Sequence, residues 1–324
     1  MHKLSFWFLL AMICAARGFA QTTEPASLYR FDPAFDSIVP PDVKIEKLAD
    51  SAPTAREPDT RDGPVWMRNG GYLVYTSLGA KQINKWDPRS GLVTTYLADT
   101  AAVGMTVDGQ GRIVWASDNE LSGGGIVRLE KDGKRTTLAT QYQGKPLNNP
   151  KDLVYTANGT LYFTDPGHYP ARESESPSVY SLEGGTVRLL AADRRISSGL
   201  AFSPNGKYIY LSGWHALVLR LEVLSNGMLG MAQVFIDMDA FKEAHPAWPD
   251  AHSIGIKVDA KGNVYCIGPG GIWIVSPLGK PLGAILGMNR PANLAFGGSD
   301  GKTLYVTSRP GLYRVKVNIA GDRY

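Results

Sequence analysis

The sequence predicts an all-β protein, a six-bladed β-propeller, on three observations. One pattern recurs six times: an apolar strand, a turn containing Gly, and a second strand rich in Tyr, Val and Ile. The first residues of successive units, Gly63, Gly104, Asp152, Gly199, Gly255 and Asn293, lie 38 to 56 residues apart, which is the spacing of four-stranded blades. No helical periodicity separates the units, so alternating strand and helix architecture is excluded.

Taken in order, residues 1–20 read as a secretory signal. Lys3 precedes an apolar run over 6–16, and Gly18-Phe19-Ala20 supplies a small-x-small cleavage site. The run is too short to span a bilayer, which takes about 20 helical residues. Cys14 lies within it, but Ile13 before it does not suit a lipoprotein cleavage site. Cleavage is expected after Ala20, giving a secreted or periplasmic product with no membrane attachment. Residues 21–42 are polar and Pro-containing and read as an N-terminal arm. Residues 43–48 (VKIEKL) alternate apolar and charged residues, as an edge strand does.

The blades occupy 43–318. GPVWMRNGGYLVYTS opens the series. GMTVDGQGRIVWAS, DLVYTANGTLYFTD, GLAFSPNGKYIYLS, GIKVDAKGNVYCIG and NLAFGGSDGKTLYVTS follow. Most units add a third strand carrying a basic residue, as in IVRLEKDG, LVLRLEV and LYRVKV. The last unit ends at Val317 with too little chain for a fourth strand. Residues 43–48 are expected to supply it, closing the ring and hiding its edges. Asn158-Gly159 reads as a two-residue hairpin turn, a better account of Asn158-Gly159-Thr160 than glycosylation. Residues 238–244, in the long insertion between the fourth and fifth units, are the one helix-like piece, and 319–324 form a tail.

Charge and cysteine content narrow the function. Net charge is +4 and falls to +2 without the signal, which contains Lys3 and Arg17 and no acid. The basic residues form no stripe, so nucleic acid is not an expected partner. Cys266 is the single cysteine left after cleavage and reads as a small buried hydrophobe. No phosphate-binding Gly loop, zinc spacing or serine-nucleophile elbow occurs.

The register of the repeat locates a site. Residues just before the innermost strands crowd one mouth of a propeller channel; here they are Asp62, Val103, Lys151, Ser198, Ile254 and Ala292. Loops entering that mouth are read as carrying Trp66, Asn148, Asn149, His168, Tyr169, Trp214, His215, Trp248 and His252. Polar groups converging in an aromatic-rimmed cavity define a candidate site for a small molecule. Each has a plainer reading: Asp152 satisfying nearby backbone N–H groups, the histidines as loop residues, the tryptophans as packing.

The phrases LNNPKDLVYTANGTLYFTDP, GLAFSPNGKYIYLS, GIKVDAKGNVYCIGPGGIWIVSPLGK and LAFGGSDGKTLYVTSRPGLYRVKV resemble the gluconolactonase and senescence-marker-protein (regucalcin) family. The resemblance runs from about Ile38 to Val317. It implies hydrolysis of a sugar lactone or similar cyclic ester, with a divalent cation, usually calcium, on the axis as Lewis acid. The family's cation-binding positions fall on Asp62, Lys151, Ser198 and Ile254. Calcium takes six to eight oxygen ligands, and this set offers one carboxylate and one hydroxyl beside an ammonium and a hydrocarbon. The cation site is therefore expected to be lost, with no cofactor, and Lys151 to pair with Asp62. Lys151, Asp152 and His252 are the catalytic candidates. Asp62, Trp66, Asn149, His168, Ser198, Trp214 and His215 are the substrate-binding ones. The second reading is a non-catalytic propeller holding a small carbohydrate or acidic ligand.

Overall fold

The computed structural model describes residues 22–51, 61–118, 124–167, 176–246, 248 and 255–322. The segment read above as a secretory signal and the positions of His168, Tyr169, His252 and Ile254 lie outside the described residues.

Six antiparallel sheets stand around one axis as blades 1 to 6. Their innermost strands are Arg61–Met67, Ala102–Val107, Leu153–Tyr155, Ile196–Phe202, Ile256–Val258 and Pro291–Gly297. Each inner strand contacts the next, and the sixth contacts the first. In blades 1 to 4 the strands follow chain order from the axis outward.

The connections repeat because their chemistry repeats. Between first and second strands of blades 2 to 5, the N–H of Gly111, Gly159, Gly206 or Gly262 bonds the carbonyl three residues earlier at 2.8 to 3.0 Å. All four glycines have φ between +67° and +87°, which a side chain disfavours. In blade 3 this spans residues 156–160, with Tyr155 paired to Leu161. The connection is thus five residues long rather than the two expected, because Thr156 N bonds Thr160 O and Thr160 N bonds Asn158 Oδ1.

Second strands are buried on both faces, since each blade lies between two others. Leu161–Asp165, Val264–Gly268 and Thr303–Ser308 are buried throughout. The core is therefore a series of layers between blades rather than one centre. At the closure, Leu48, Ala49, Tyr305 and Leu312 of blade 6 meet Leu73, Tyr75 and Trp86 of blade 1. Each such large side chain contributes about 1.5–3 kcal/mol by leaving water. Cys266 is fully buried and unpaired, and burial pushes its thiol up to about 12.

The ring closes as expected, with Lys44–Asp50 pairing antiparallel to Gly311–Lys316. The segment read as an arm does more than the sequence suggested. Thr22–Pro25 adds a fifth strand to blade 6 beside Lys44–Asp50, and Ser27–Arg30 adds a fifth strand to blade 5 beside Pro281–Leu286. Its apolar residues explain the docking: Phe31 stacks on Trp273 at 4.9 Å, and Phe35 is fully buried. The helix-like piece forms the short helix Asp239–Ala244. Tyr29 and Trp248 meet edge to face at 5.2 Å, and His245 stacks on Trp248 at 4.2 Å. The N-terminal strand thereby holds the insertion that leads to blade 5.

Candidate functional site on the propeller axis

The mouth is shaped by glycines and hydroxyls before any charge is considered. Gly63 has φ +46°, and a Cβ there would fall 2.4 Å from Val103 O. A Cβ at Gly104 would meet Lys151 O at 2.4 Å and Asp152 Oδ1 at 2.6 Å, and one at Gly255 would meet Asn293 Oδ1 at 2.6 Å. Inner strands approach this closely only because these positions lack side chains. Into the space project the two axial residues that are not Gly, Asp152 of blade 3 and Asn293 of blade 6. Hydroxyls on second strands brace the same backbone. Thr164 Oγ1 bonds Ser198 O at 2.5 Å, Ser212 Oγ receives Gly199 N–H at 2.6 Å, and Thr307 Oγ1 bonds Asn293 O at 3.2 Å.

Asp62 is buried. Its Oδ1 receives the N–H of Gly63 at 2.6 Å and the amide of Asn293 at 2.8 Å. Burial raises its pKa despite those hydrogen bonds and the positive fields of Lys151 and Lys257. Asp152 lies one residue beyond Lys151 and is 3% exposed. Its Oδ1 receives Leu153 N–H at 2.9 Å, while Oδ2 has no hydrogen-bond partner. Burial pushes its carboxyl up to about 6; Lys257 pulls it down, Asp62 pushes it further up, and Leu153 N–H and the Asn293 amide add weaker pulls. A carboxyl titrating there is poised for proton transfer near neutral pH.

Lys151 does not make its expected pair. Its ammonium lies 3.5 Å from Asp118 Oδ2. Asp118 directly follows the second strand of blade 2, one blade away, whereas Asp62 is two blades away. Asp62 is also short and turned toward Gly63 and Asn293, at a register shift between Asp62 and Val65. Lys151 reaches Asp62 through its field rather than by contact.

The remaining candidates separate. Asn149 is buried, and its backbone N–H bonds Asp165 Oδ1 at 2.6 Å, which with Asn148 N to Oδ2 at 2.8 Å fixes the loop before Lys151. Ser198 is half-buried at the mouth end of blade 4's inner strand. Trp214 is half-buried and His215 exposed with φ +59°, both in the turn between second and third strands of blade 4. Trp66 is displaced from the rim predicted for it. It lies at the far end of its inner strand, paired with Leu73 and stacked on Tyr305 at 5.3 Å, where it packs blade 1 on blade 6. Trp248 packs on the N-terminal strand and Trp273.

Three axial residues escaped the sequence reading as site residues: Lys257, Asn293 and Asp118. Asn293 marks the first residue of a repeat, like Asp152, and stands where four other units have Gly. That position was the available signal. Lys257 lies two residues further along its strand, and Asp118 follows a second strand; neither had a repeated counterpart to draw attention to it.

The described residues do not fit a bound calcium ion. Asp62 Oδ1 is already occupied by two N–H donors, Lys151 puts an ammonium at one of the family's ligand positions, and no group of three His, Cys, Asp or Glu residues among those described is close enough to hold a metal. A hard divalent cation needs more oxygen than this.

Fold and site together define a six-bladed propeller with a polar axial mouth containing two buried carboxyls. The family model for the SMP-30/Gluconolactonase/LRE-like region matches residues 61–309, and the chain belongs to that family. A gluconolactonase of Zymomonas mobilis is 27% identical over 321 residues, covering 90% of this chain and 86% of that one. A 6-deoxy-6-sulfogluconolactonase of Pseudomonas putida is 26% identical over 251 residues, covering 76% and 81%. The solved structure of a Xanthomonas campestris gluconolactonase shares the fold with TM-score 0.76 at 24% identity, covering 91% of this chain and 95% of that one. These relatives support a lactonase-like function.

Proposed function

We propose that this chain is a secreted or periplasmic hydrolase of a sugar lactone or similar cyclic ester, working at the axial mouth without a divalent cation. The observation that carries the reading is that Lys151, whose ammonium pairs with Asp118 at the mouth, is followed directly in the chain by Asp152, a buried carboxyl with one oxygen lacking a hydrogen-bond partner and a pKa raised to about 6. Negative charge develops on the carbonyl oxygen as water adds to a lactone, and a fixed ammonium stabilises it. Asp152 accepts the proton of the attacking water and returns it to the ring oxygen as the C–O bond opens. His252 is the second candidate for that proton transfer. Asp118 orients Lys151, and Asn149, Ser198, Trp214 and His215 border the space for substrate.

The test is hydrolysis of glucono-δ-lactone in a pH-stat after EDTA treatment, corrected for spontaneous opening. Turnover is expected to survive EDTA and to fall about 100-fold or more in Lys151→Met, the scale on which removing one oxyanion donor acts. Loss of turnover with EDTA and recovery with calcium would sink the cation-free mechanism. Calorimetric binding of the lactone without turnover would establish the alternative, a propeller that binds and does not react.

A further inference from the structure

The loop that delivers Lys151 and Asp152 to the mouth is held by a carboxyl that the repeat does not require. The last residue of the second strand is Ser77, Ser117, Asp165, Gly213, Gly268 and Ser308 in blades 1 to 6. Five blades fold with Ser or Gly there, and blade 3 has an acid. Asp165 is fully buried. Its Oδ2 receives the N–H of Asn148 at 2.8 Å, and its Oδ1 that of Asn149 at 2.6 Å. In blade 6 the Ser308 hydroxyl at the same position donates to the Asn289 carbonyl in the loop before its own inner strand. The contact between strand end and loop is thus common to two blades, and the carboxyl is particular to blade 3.

The loop sequence explains why two oxygens are used. Pro150 has no N–H, so no backbone donor lies between Asn149 and Lys151. A hydroxyl offers one oxygen, whereas a carboxylate offers two, one for each successive N–H. Beyond Pro150 the adjacent Thr164 takes over. Lys151 N bonds Thr164 O at 3.0 Å, Thr164 N bonds Asp152 O at 3.0 Å, and Asp152 N bonds Thr164 Oγ1 at 3.2 Å. The same hydroxyl donates to Ser198 O of blade 4 at 2.5 Å. Every backbone N–H from Asn148 to Asp152 therefore ends on one of two consecutive residues, which also tie the segment to Ser198.

We propose that Thr164 and Asp165 are positioning residues of the site, with Asp165 setting the course of the loop that aims Lys151. Both act through the backbone of Asn148 to Asp152 rather than on substrate. The proposal rests on the reading above, in which Lys151 and Asp152 carry the chemistry. It separates two effects of the loop: the lactone is bound by the rim, and the reacting groups are aligned by the strand end beneath them.

Asp165→Asn tests this, because an amide accepts one of the two N–H groups and turns a donor toward the other. In the folded variant, kcat for glucono-δ-lactone should fall about 10- to 100-fold, the scale on which small misplacements act, with KM changed less than about threefold. A second readout needs no turnover. A carbodiimide joins an amine to a carboxyl in contact with it, and Lys151 Nζ lies 3.5 Å from Asp118 Oδ2. The yield of that crosslink, read by peptide mass spectrometry, should fall about tenfold in Asp165→Asn as the two groups lose their alignment. It should be unchanged in Ile274→Ala, which opens a cavity in the layer between blades 5 and 6. Full kcat with an undiminished crosslink would overturn the proposal, as would equal crosslink loss in the two variants. If the wild type does not turn over the lactone, the crosslink decides alone, so failure of the lactonase reading stays distinct from failure here. If Asp165→Asn does not fold, Asp165→Ser, the residue of blades 1, 2 and 6, is read in the same way. Amide exchange in the wild type needs no variant: the N–H groups of Asn148 and Asn149 should exchange at least about 100-fold more slowly than in an open chain. Exchange at the open-chain rate would remove the clamp and the proposal with it.

Discussion

The side-chain amide of Asn293 donates a 2.8 Å hydrogen bond to Oδ1 of Asp62. The two residues are 231 positions apart and belong to the last and first blades, so the bond crosses the closure of the ring at its axis. It is a polar counterpart of the outer closure, where Lys44–Asp50 pairs with Gly311–Lys316. Asn293→Ala should leave Asp62 with Gly63 N–H alone and lower stability by about 1–3 kcal/mol, the cost of leaving a buried acceptor short of a donor. Asn293→Asp should be worse, because it sets a second carboxyl against Asp62. Urea unfolding at pH 7 measures both, and an Asp variant as stable as the Ala variant would contradict this picture of the seam.

Asp152 gives a pH dependence of defined sign. Its folded pKa, about 6, lies above the unfolded value of 3.8. Between those values the folded state binds more protons than the unfolded state, so this residue's contribution falls as pH rises from about 4 to 6 and is level beyond. Asp152→Asn removes the ionisation while keeping an acceptor for Leu153 N–H. It should stabilise the protein above pH 6 by up to about 3 kcal/mol and have little effect below pH 4. Tm measured across that range checks the crossover; a uniform offset at all pH values would show that Asp152 does not titrate in the folded protein.

Gly104 tests the shape of the channel separately from its charge. A Cβ there would press on Lys151 O and on the Asp152 carboxylate. Gly104→Ala should cost about 1–3 kcal/mol through overpacking and should displace the candidate catalytic pair. Gly109, in the turn that follows the same strand, has nothing within 4 Å of its would-be Cβ. Gly109→Ala is therefore the control, expected to be near neutral. Equal losses in the two variants would remove the argument that Gly104 makes room for Asp152.

Tyr29 links the N-terminal strand to the insertion. It makes edge contacts with His245 and Trp248 at 5.0 and 5.2 Å, and its hydroxyl lies 3.1 Å from His245 Nε2. Tyr29→Ala should lower stability by about 2–4 kcal/mol, as for loss of a large packed side chain. It should also speed amide exchange in Asp239–Ala244 more than in the inner strands of blades 1 to 3. Unchanged exchange in the helix would mean that the strand is bound to blade 5 without restraining the insertion.

What the sequence determined by itself is the repeated part of the molecule. The six strand–turn–strand units, their glycine turns and the early closing strand were legible because local rules act identically at each repeat, so six weak signals reinforce one another. The same register of the repeat assigns Asp62, Lys151 and Asp152 to the axis. Only the tertiary structure decided which of these groups touch. Lys151 turns to Asp118 because a neighbouring blade is nearer than the next but one, and Asp62 is taken by Asn293 at the seam. Trp66 is withdrawn from the rim because the far end of its strand faces Tyr305, and the polar arm becomes two strands because blades 5 and 6 offer it open edges. A repeat states where each strand begins relative to the axis. Contacts across the axis join residues hundreds of positions apart and depend on side-chain length, on the space that glycines leave, and on competition among donors, and none of these has a period that the chain could display.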